Sequence, residues 1–298
     1  MSTFYRPPEI EALRTSIARS TDRRIKAGQF GRVFPQGPDA GLLRTKKAAE
    51  WMRLQYGKPE PKLLFGSFWA EGELCILFAD TGLGKSILAV QIADSLTKEY
   101  SIGPFTNQLD AAVCVLYVDF ELSSKQFELR YYDRQYGSHL FSDLFYRAEF
   151  NPEADDPVLY DDYEEYISSA IENAVRQTGA RILIIDNITY IRRGTERAGE
   201  ALPLMKMFRA LKAKHGLSIL VLAHTPKRSP YKPITVNDLQ GSKLLINFAD
   251  SAFAIGSSHT RPGLRYLKQV KQRSRAELYG ADNVCLIGSE KKLNFLGW

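Results

Sequence analysis

Cysteine is scarce in this sequence: Cys75, Cys114 and Cys285 are the only three among 298 residues, and they lie far apart inside apolar runs. This spacing excludes a disulfide framework and a CxxC metal site, and it is typical of a reducing cytoplasm. Long apolar runs are missing as well, since none approaches the roughly 18 residues of a membrane helix. The start, MSTFYRPPEI, lacks the apolar core of a signal peptide. We therefore expect a soluble, cytoplasmic protein that uses no membrane.

Charge is distributed unevenly along the chain, which carries a formal net charge of +6. Residues 1–60 contain 12 Lys and Arg against 6 Asp and Glu, so this segment holds the whole excess. A basic flank beside a neutral core indicates either contact with phosphates or another acidic surface, or a solubilising extension. Charge alone leaves both interpretations open.

Short apolar runs alternate with helical patterns from Leu63 onward. The runs are continuous, which is typical of parallel strands covered by helices on both faces. After Ala249 the spacing shortens, and four more apolar runs predict strands joined by turns. The sequence therefore predicts an α/β fold, with a helical N-terminal extension over 1–60 and the main domain over 61–298. The predicted helices are 10–26, 41–56, 85–96, 163–174 and 204–211, and the predicted strands are 73–79, 113–120, 181–186, 217–223, 251–256, 263–272, 283–289 and 292–297.

A phosphate-binding pattern, ADTGLGKS, follows the first predicted strand of the main domain and opens a helix. It matches the P-loop pattern GxxxxGK[ST], with alanine in the first position. The two glycines let backbone N–H groups face an anion at the helix N-terminus. Lys85 can reach the β- and γ-phosphates of a nucleotide, and the Ser86 hydroxyl can bind magnesium. The predicted nucleotide-binding residues are Ala79, Asp80, Thr81, Gly82, Leu83, Gly84, Lys85 and Ser86.

A second acidic position, Asp186, closes the apolar strand RILIID about a hundred residues after the P-loop. In P-loop enzymes an aspartate at such a strand end holds magnesium or its water. We therefore predict Asp186, together with Ser86, as a metal ligand. The alternative is a strand-end aspartate that caps a turn.

Hydrolysis also needs a group that orients or deprotonates the attacking water. Many P-loop ATPases carry a glutamate directly after the strand-end aspartate, but here that position is Asn187. Glu121, at the end of the strand VCVLYVDF, would face the site from a neighbouring parallel strand and is the predicted base. Asp119 would point to the same side and is the alternative. His224 follows the fourth strand, where it either donates a hydrogen bond to the γ-phosphate or packs at the strand end.

Together these motifs resemble the RecA-like ATPases, and more narrowly the ring-forming DnaB and RepA-type helicases. The resemblance covers about Leu63 to Gly297 and rests on ADTGLGKS, YVDFELS, RILIIDN, LVLAHT and VNDLQGSKLLINFADSAFAI. It implies a RecA-like parallel sheet, hydrolysis of ATP with Mg²⁺, and assembly as a ring or filament. Lys271 and Arg273 resemble the Lys-x-Arg pair that reaches into a neighbouring subunit's ATP in those helicases. The alternative is a basic strand edge that guards against aggregation.

The resemblance further implies action on single-stranded DNA. Residues 1–60 are too short for the primase-binding domain of a cellular replicative helicase, so the plasmid or mobile-element type is the closer match. Two other functions remain open: an ATP-dependent switch or loader that binds a protein partner through 1–60, and a RecA-like recombinase. Basic residues on segments after strand ends predict contact with DNA phosphates. These predicted contacts are Arg192, Arg193, Lys227, Arg228 and Lys243.

Overall fold

The computed structural model describes residues 43–151, 163–188, 201–226, 228–229, 232–239, 243–259 and 263–287. Its chain forms two compact units, divided in the sequence between Pro59 and Glu60. In the first unit, α1 (Ala48–Gln55) buries none of its side chains, and the Arg44 and Lys46 cations lie 5.9 Å from the Trp51 ring centroid. This helix is shorter than the predicted 41–56, and the predicted helix 10–26 lies outside the described residues.

The second unit carries the strands and the remaining helices that the structure describes. In chain order the strands are β1 (Leu63–Phe65), β2 (Trp69–Ala70), β3 (Leu74–Ala79), β4 (Val115–Asp119), β5 (Tyr132–Asp133), β6 (Gly137–Ser138), β7 (Phe145–Glu149), β8 (Ile182–Asp186), β9 (Ser218–His224), β10 (Ser251–Ser257), β11 (Arg265–Gln272) and β12 (Cys285–Ile287). The helices are α2 (Lys85–Lys98), α3 (Ser124–Arg130), α4 (Tyr163–Thr178), α5 (Ala201–His215) and α6 (Lys243–Phe248), with a 3₁₀ turn over Val236–Asp238.

Eight of these strands form one sheet in the order β12-β11-β10-β3-β9-β8-β4-β7. The six strands from β10 to β7 are mutually parallel, whereas β11 and β12 continue the sheet in antiparallel fashion. The prediction of an α/β fold with a RecA-like parallel sheet and a strand-rich C-terminal part is therefore confirmed. The predicted strand 292–297 lies outside the described residues.

Both faces of the sheet are covered, which explains why its central strands β3, β8 and β9 are apolar along most of their length. On β3, Cys75 and Leu77 pack with α2, whereas Leu74 and Ile76 pack with α4, α5 and α6. Parallel strands joined by helical crossovers bury both faces in this way. In the described part of the chain, every helix is too short or too polar to span a bilayer, and all three cysteines are free thiols.

The strand register fixes which residues share an edge of the sheet. Ala79 at the end of β3 pairs with His224 of β9, and Asp119 at the end of β4 pairs with Asp186 of β8. The carboxyl ends of these four strands therefore meet at one edge, which we call the carboxyl edge. Because β11 runs antiparallel, its last residues lie at the opposite edge, where Gln272 pairs with Ser251.

The C-terminal strands hold a loop of the second unit in place. The Tyr266 hydroxyl accepts a hydrogen bond of 3.1 Å from the Ile234 N–H, and Lys268 Nζ donates one of 3.0 Å to the Ile234 carbonyl. The Tyr266 ring crosses Gly256 of β10 so closely that a Cβ there would lie 2.2 Å from the ring carbon Cζ. Glycine at this position lets the ring reach the 232–239 segment.

Candidate active site

The P-loop connects β3 to α2 at the carboxyl edge. Gly82 and Gly84 adopt φ angles of +79° and +92°, a region that side chains with a Cβ rarely enter. Gly84 is the N-cap of α2, so the loop leads directly into a helix N-terminus. Unpaired N–H groups and the helix dipole make such a terminus a binding place for phosphate. The glycines of the pattern are thus needed for the shape of the loop.

The Lys85 ammonium lies inside the P-loop. Its Nζ donates to the Ala79 carbonyl at 2.9 Å and to the Asp80 carbonyl at 3.2 Å, and it lies 3.2 Å from His224 Nδ1. Burial lowers the pKa of Lys85, against the opposing effect of nearby carboxylates. Its present partners are neutral acceptors, so incoming phosphates would offer this cation a stronger, charged partner.

Glu121 is held at the same place by two neighbours. The Asn187 amide donates to Glu121 Oε1, and His224 Nε2 lies 3.2 Å from the same oxygen. Hydrogen bonding from His224, the charge of Lys85 and hydrogen bonding from Asn187 lower the pKa of Glu121 despite its partial burial. A carboxylate that stays ionised can accept a proton from water.

The His224 ring joins the lysine to the glutamate. Lysine can only donate, so its contact requires Nδ1 to be the acceptor and places the ring proton on Nε2. That proton is then available to Glu121. The Asn187 amide nitrogen also lies 2.8 Å from Nε2, but in this tautomer Nε2 carries a proton and cannot accept from it. The structure thus brings Lys85, His224, Glu121 and Asn187 into one cluster, which we call the strand-end cluster.

Asp119, the alternative base, is occupied in a different way. Its Oδ1 accepts from the backbone N–H groups of Glu121 at 3.0 Å and Leu122 at 2.9 Å. Its Oδ2 accepts from Arg147 Nε at 3.0 Å, and Arg147 also donates to the Leu122 carbonyl. Asp119 therefore shapes the turn that presents Glu121, and its buried carboxylate has little capacity left for a water molecule.

Asp186 is buried beside the P-loop and only partly satisfied. Its Oδ2 accepts from the Tyr117 hydroxyl, whereas its Oδ1 has no hydrogen-bond partner among the described residues. Burial raises the pKa of Asp186 to about 6, although the nearby Ser86 and Tyr117 hydroxyls act in the opposite direction. A buried carboxylate oxygen without a partner, close to the Ser86 hydroxyl, fits a hard cation that prefers oxygen ligands. These residues could therefore hold Mg²⁺ together with nucleotide phosphates.

The acidic residue of the P-loop, Asp80, is bound to the segment after β9. Thr225 donates to Asp80 Oδ1, and Arg228 lies 3.3 Å from Asp80 Oδ2 and 3.3 Å from an Asp238 oxygen. The Arg228 side chain is only 9% exposed, so its charge faces the P-loop rather than open solvent. Of the other predicted DNA contacts, Arg192, Arg193 and Lys227 lie outside the described residues, and Lys243 is described only as the start of α6.

Lys271 and Arg273 lie at the opposite edge of the sheet. Lys271 donates to the Ile246 carbonyl and Arg273 to the Asn247 carbonyl at the end of α6. An Arg273 nitrogen also lies 3.7 Å from Asp250 Oδ1. Burial, with Arg273 next in effect, lowers the pKa of Lys271. The structure does not bring this pair to the P-loop of its own chain, so a role at ATP requires a second copy.

Sequence reasoning missed several residues at the carboxyl edge. Arg265 donates to the P-loop carbonyl of Leu83 at 3.0 Å, and Tyr117, Asn187 and Thr225 bond the predicted site residues. From the sequence, Asn187 stood out only because it occupies the position after Asp186 at which many P-loop ATPases carry a glutamate. Tyr117 shares a face of β4 with Asp119, but an aromatic residue inside an apolar strand gives no sign of a polar partner. The roles of the predicted site residues stay predictions.

Residues 42–230, well over half of the chain, match the model of a family described as an AAA domain, AAA_25. The match includes the P-loop, Glu121, Asp186 and His224, and it ends before β10. No curated protein sequence matches the chain significantly.

Proposed function

The chain belongs to the AAA_25 family of AAA domains and is a P-loop ATPase, and we propose that it is a magnesium-dependent motor or helicase. In this proposal it works as an oligomer on single-stranded DNA, in the cytoplasm, during plasmid or mobile-element replication. The observation that carries the proposal is the strand-end cluster, in which a P-loop lysine, a carboxylate and a histidine, positioned at the carboxyl ends of three strands, lie in contact.

The cluster suggests how the residues divide the reaction. Lys85 moves from the Ala79 and Asp80 carbonyls to the phosphates and neutralises charge there. Glu121 takes a proton from water as the water oxygen bonds to the γ-phosphorus. The bond to the β–γ bridging oxygen breaks, which gives ADP and phosphate. His224 loses the Lys85 contact in this process, so the hydrogen bonding of its Nδ1 differs between the empty and the nucleotide-bound site.

Ser86 and Asp186 would hold Mg²⁺ in this arrangement. When bound, the ion supplies positive charge that offsets the charge of the phosphate oxygens. The buried Oδ1 of Asp186, which has no partner among the described residues, is the feature that supports such an ion, because a desolvated carboxylate oxygen is costly without a partner. Magnesium sites with one or two protein oxygens and phosphate ligands are the ordinary kind.

Assembly of several copies is part of the proposal because Lys271 and Arg273 lie at the opposite edge of the sheet. Placed against the next subunit's P-loop, they would stabilise the charge that develops on the γ-phosphate. A cation supplied in trans contributes about 10³–10⁵ in rate in comparable phosphoryl-transfer systems. DNA would bind mainly through its phosphates, which makes its affinity fall steeply with salt.

The most direct test measures the ATPase rate of the full chain with and without single-stranded DNA, alongside its mass in solution. We expect stimulation by DNA, a multimeric mass with nucleotide, and DNA affinity that weakens between 50 and 200 mM salt, the range over which phosphate contacts lose about 10³–10⁵ in affinity. Unwinding of a forked duplex separates a helicase from a RecA-like recombinase. A monomeric protein whose ATPase rate does not change with DNA would contradict the proposed motor.

One observation favours the alternative of an ATP-dependent switch or loader. Arg228, a predicted DNA contact, is engaged by Asp80 and Asp238, which ties the segment after β9 to the P-loop and leaves less positive charge for DNA. A switch would use this link to change the shape of a protein-binding surface. Its signature would be partner binding that depends on ATP while DNA binding stays absent.

A further inference from the structure

The Tyr117–Asp186 contact couples a strand interior to the proposed metal position. Tyr117 lies in the middle of β4, is 1% exposed, and pairs in register with Ile184, two residues before Asp186. Its ring stacks on Phe145 at a centroid distance of 6.2 Å. Burial and the Phe145 ring therefore restrict the Tyr117 ring, and its hydroxyl donates to Asp186 Oδ2 from a fixed position.

The two oxygens of Asp186 consequently differ. Oδ2 is occupied by a phenolic donor, and Oδ1 has no partner among the residues described. A tyrosine hydroxyl donates a single hydrogen bond, so one rigid donor is enough to define which carboxylate oxygen remains available. Groups that bond to a metal-ligating carboxylate orient it, and their loss typically weakens metal binding 10–100-fold.

We propose that Tyr117 is a positioning and specificity-determining residue, which keeps Asp186 a one-oxygen ligand and thereby selects Mg²⁺ over Ca²⁺. This inference rests on the proposed function, because it assigns a partner to the metal site proposed there. Mg²⁺ takes six ligands in strict octahedral geometry and binds few protein oxygens. Ca²⁺ accepts six to eight and commonly takes both oxygens of one carboxylate. A carboxylate with Oδ2 already occupied suits the smaller ion.

The test compares Tyr117→Phe with the parent chain in the presence of a non-hydrolysable ATP analogue. Unfolding temperature is measured against increasing Mg²⁺ and, separately, increasing Ca²⁺, so that metal binding is followed without turnover. For Tyr117→Phe we expect the half-saturating Mg²⁺ concentration to rise about 10-fold and that of Ca²⁺ to change less than about 3-fold, since Oδ2 becomes available for two-oxygen binding. Steady-state ATPase should show the same shift in Mg²⁺ requirement.

Tyr131→Phe is the matched control. Tyr131 is also buried in the core that contains Tyr117, and its hydroxyl donates to no carboxylate among the described residues. We expect this variant to keep the parent chain's response to both ions. An equal shift for Mg²⁺ and Ca²⁺ in Tyr117→Phe, no shift, or the same shift in the control would overturn the proposal. If neither ion changes the unfolding temperature of the parent chain in the presence of the analogue, the proposed metal site itself is wrong.

Discussion

Two aspartates, at opposite edges of the same sheet, have opposite surroundings. Asp250, which precedes β10, accepts from the Leu74 N–H at 2.9 Å and from Lys212 at 2.6 Å, with Arg273 close to its other oxygen. Burial opposes ionisation, yet these partners outweigh it and the pKa of Asp250 is lowered. Within the described part of the chain, Asp186 at the carboxyl edge has one oxygen without a hydrogen-bond partner, and burial raises its pKa to about 6.

The difference in partners separates a carboxylate that stabilises the fold from one that is suited to bind a ligand. Asp250 is saturated by its own chain, so its charge stabilises the folded state. Asp186 is not, so its ionised form is costly until something else supplies a partner. Proteins tolerate such losses of stability where function needs them. The four predictions below test this contrast, beginning with the largest expected effect.

Lys85→Ala should abolish ATP hydrolysis and weaken nucleotide binding, because the P-loop then lacks the cation that meets the β- and γ-phosphates. Turnover and binding of a fluorescent ATP analogue measure the two effects. Lys212→Ala removes a part-buried lysine from the opposite edge and should keep turnover near normal. If Lys85→Ala retains normal turnover, the P-loop assignment is wrong.

Arg273→Ala should lower turnover by about 10³–10⁵ while nucleotide binding by an isolated subunit stays nearly intact, since a trans-acting cation stabilises the transition state. Lys212→Ala is again the control, because it also removes a partner of Asp250. A mixture of Arg273→Ala and Lys85→Ala subunits should recover activity at interfaces that combine both intact residues. Equal losses in Arg273→Ala and Lys212→Ala would make Arg273 a structural residue of the opposite edge.

Glu121→Gln should leave ATP bound and slow turnover by about 10²–10⁴, because the amide keeps the size of the side chain and loses its ability to take a proton. Its unfolding temperature should fall less than that of Asp119→Asn, because the amide oxygen can still accept the bonds from Asn187 and His224. Asp119→Asn makes the complementary change, since it breaks a buried pair with Arg147 and should lower stability by about 3 kcal/mol. Normal hydrolysis by Glu121→Gln, with loss in a folded Asp119→Asn, would reverse the two assignments.

Asp250→Asn should lower the free energy of unfolding by about 1–2 kcal/mol at pH 7, because hydrogen bonds to a charged acceptor are lost. Its pKa is lower in the folded chain than in the unfolded one, where it is about 3.9. The stabilisation is therefore present above about pH 4 and disappears as the pH falls through the folded-state pKa. Urea unfolding at several pH values measures it. Asp186→Asn, without nucleotide or metal, should show no such loss at pH 7.

The sheet was predictable from the sequence because strands buried on both faces are apolar at every position. The strands β3, β4, β8 and β9 and the helix α2 lie within one or two residues of their predicted bounds. The strand β7 was missed, since at the edge of the sheet it keeps Arg147 and Glu149 and has no apolar pattern. The short helix α3 was also missed, although the capping box between Ser123 and Gln126 at its start is a signal that the sequence carries.

The strand-end cluster was predictable only in outline. Parallel strands place their carboxyl ends together, so Glu121, His224 and Asp186 could be assigned to one edge from the order of motifs. Contacts that depend on strand order were not accessible. Tyr117 meets Asp186 because β4 lies beside β8, and Arg228 meets Asp80 because the segment after β9 folds back to the P-loop. Neither contact can be predicted from the sequence immediately around these residues.

The crossing of Tyr266 over Gly256 makes position 256 intolerant to any residue with a side chain. Any larger residue would push the Tyr266 ring away from β10. The hydroxyl would then leave the Ile234 N–H, and the loop that carries Asp238, a partner of Arg228, would lose an anchor. Steric conflict therefore restricts position 256 to glycine. Even an alanine there would change the position of Asp238 and so the contacts of Arg228 beside the P-loop.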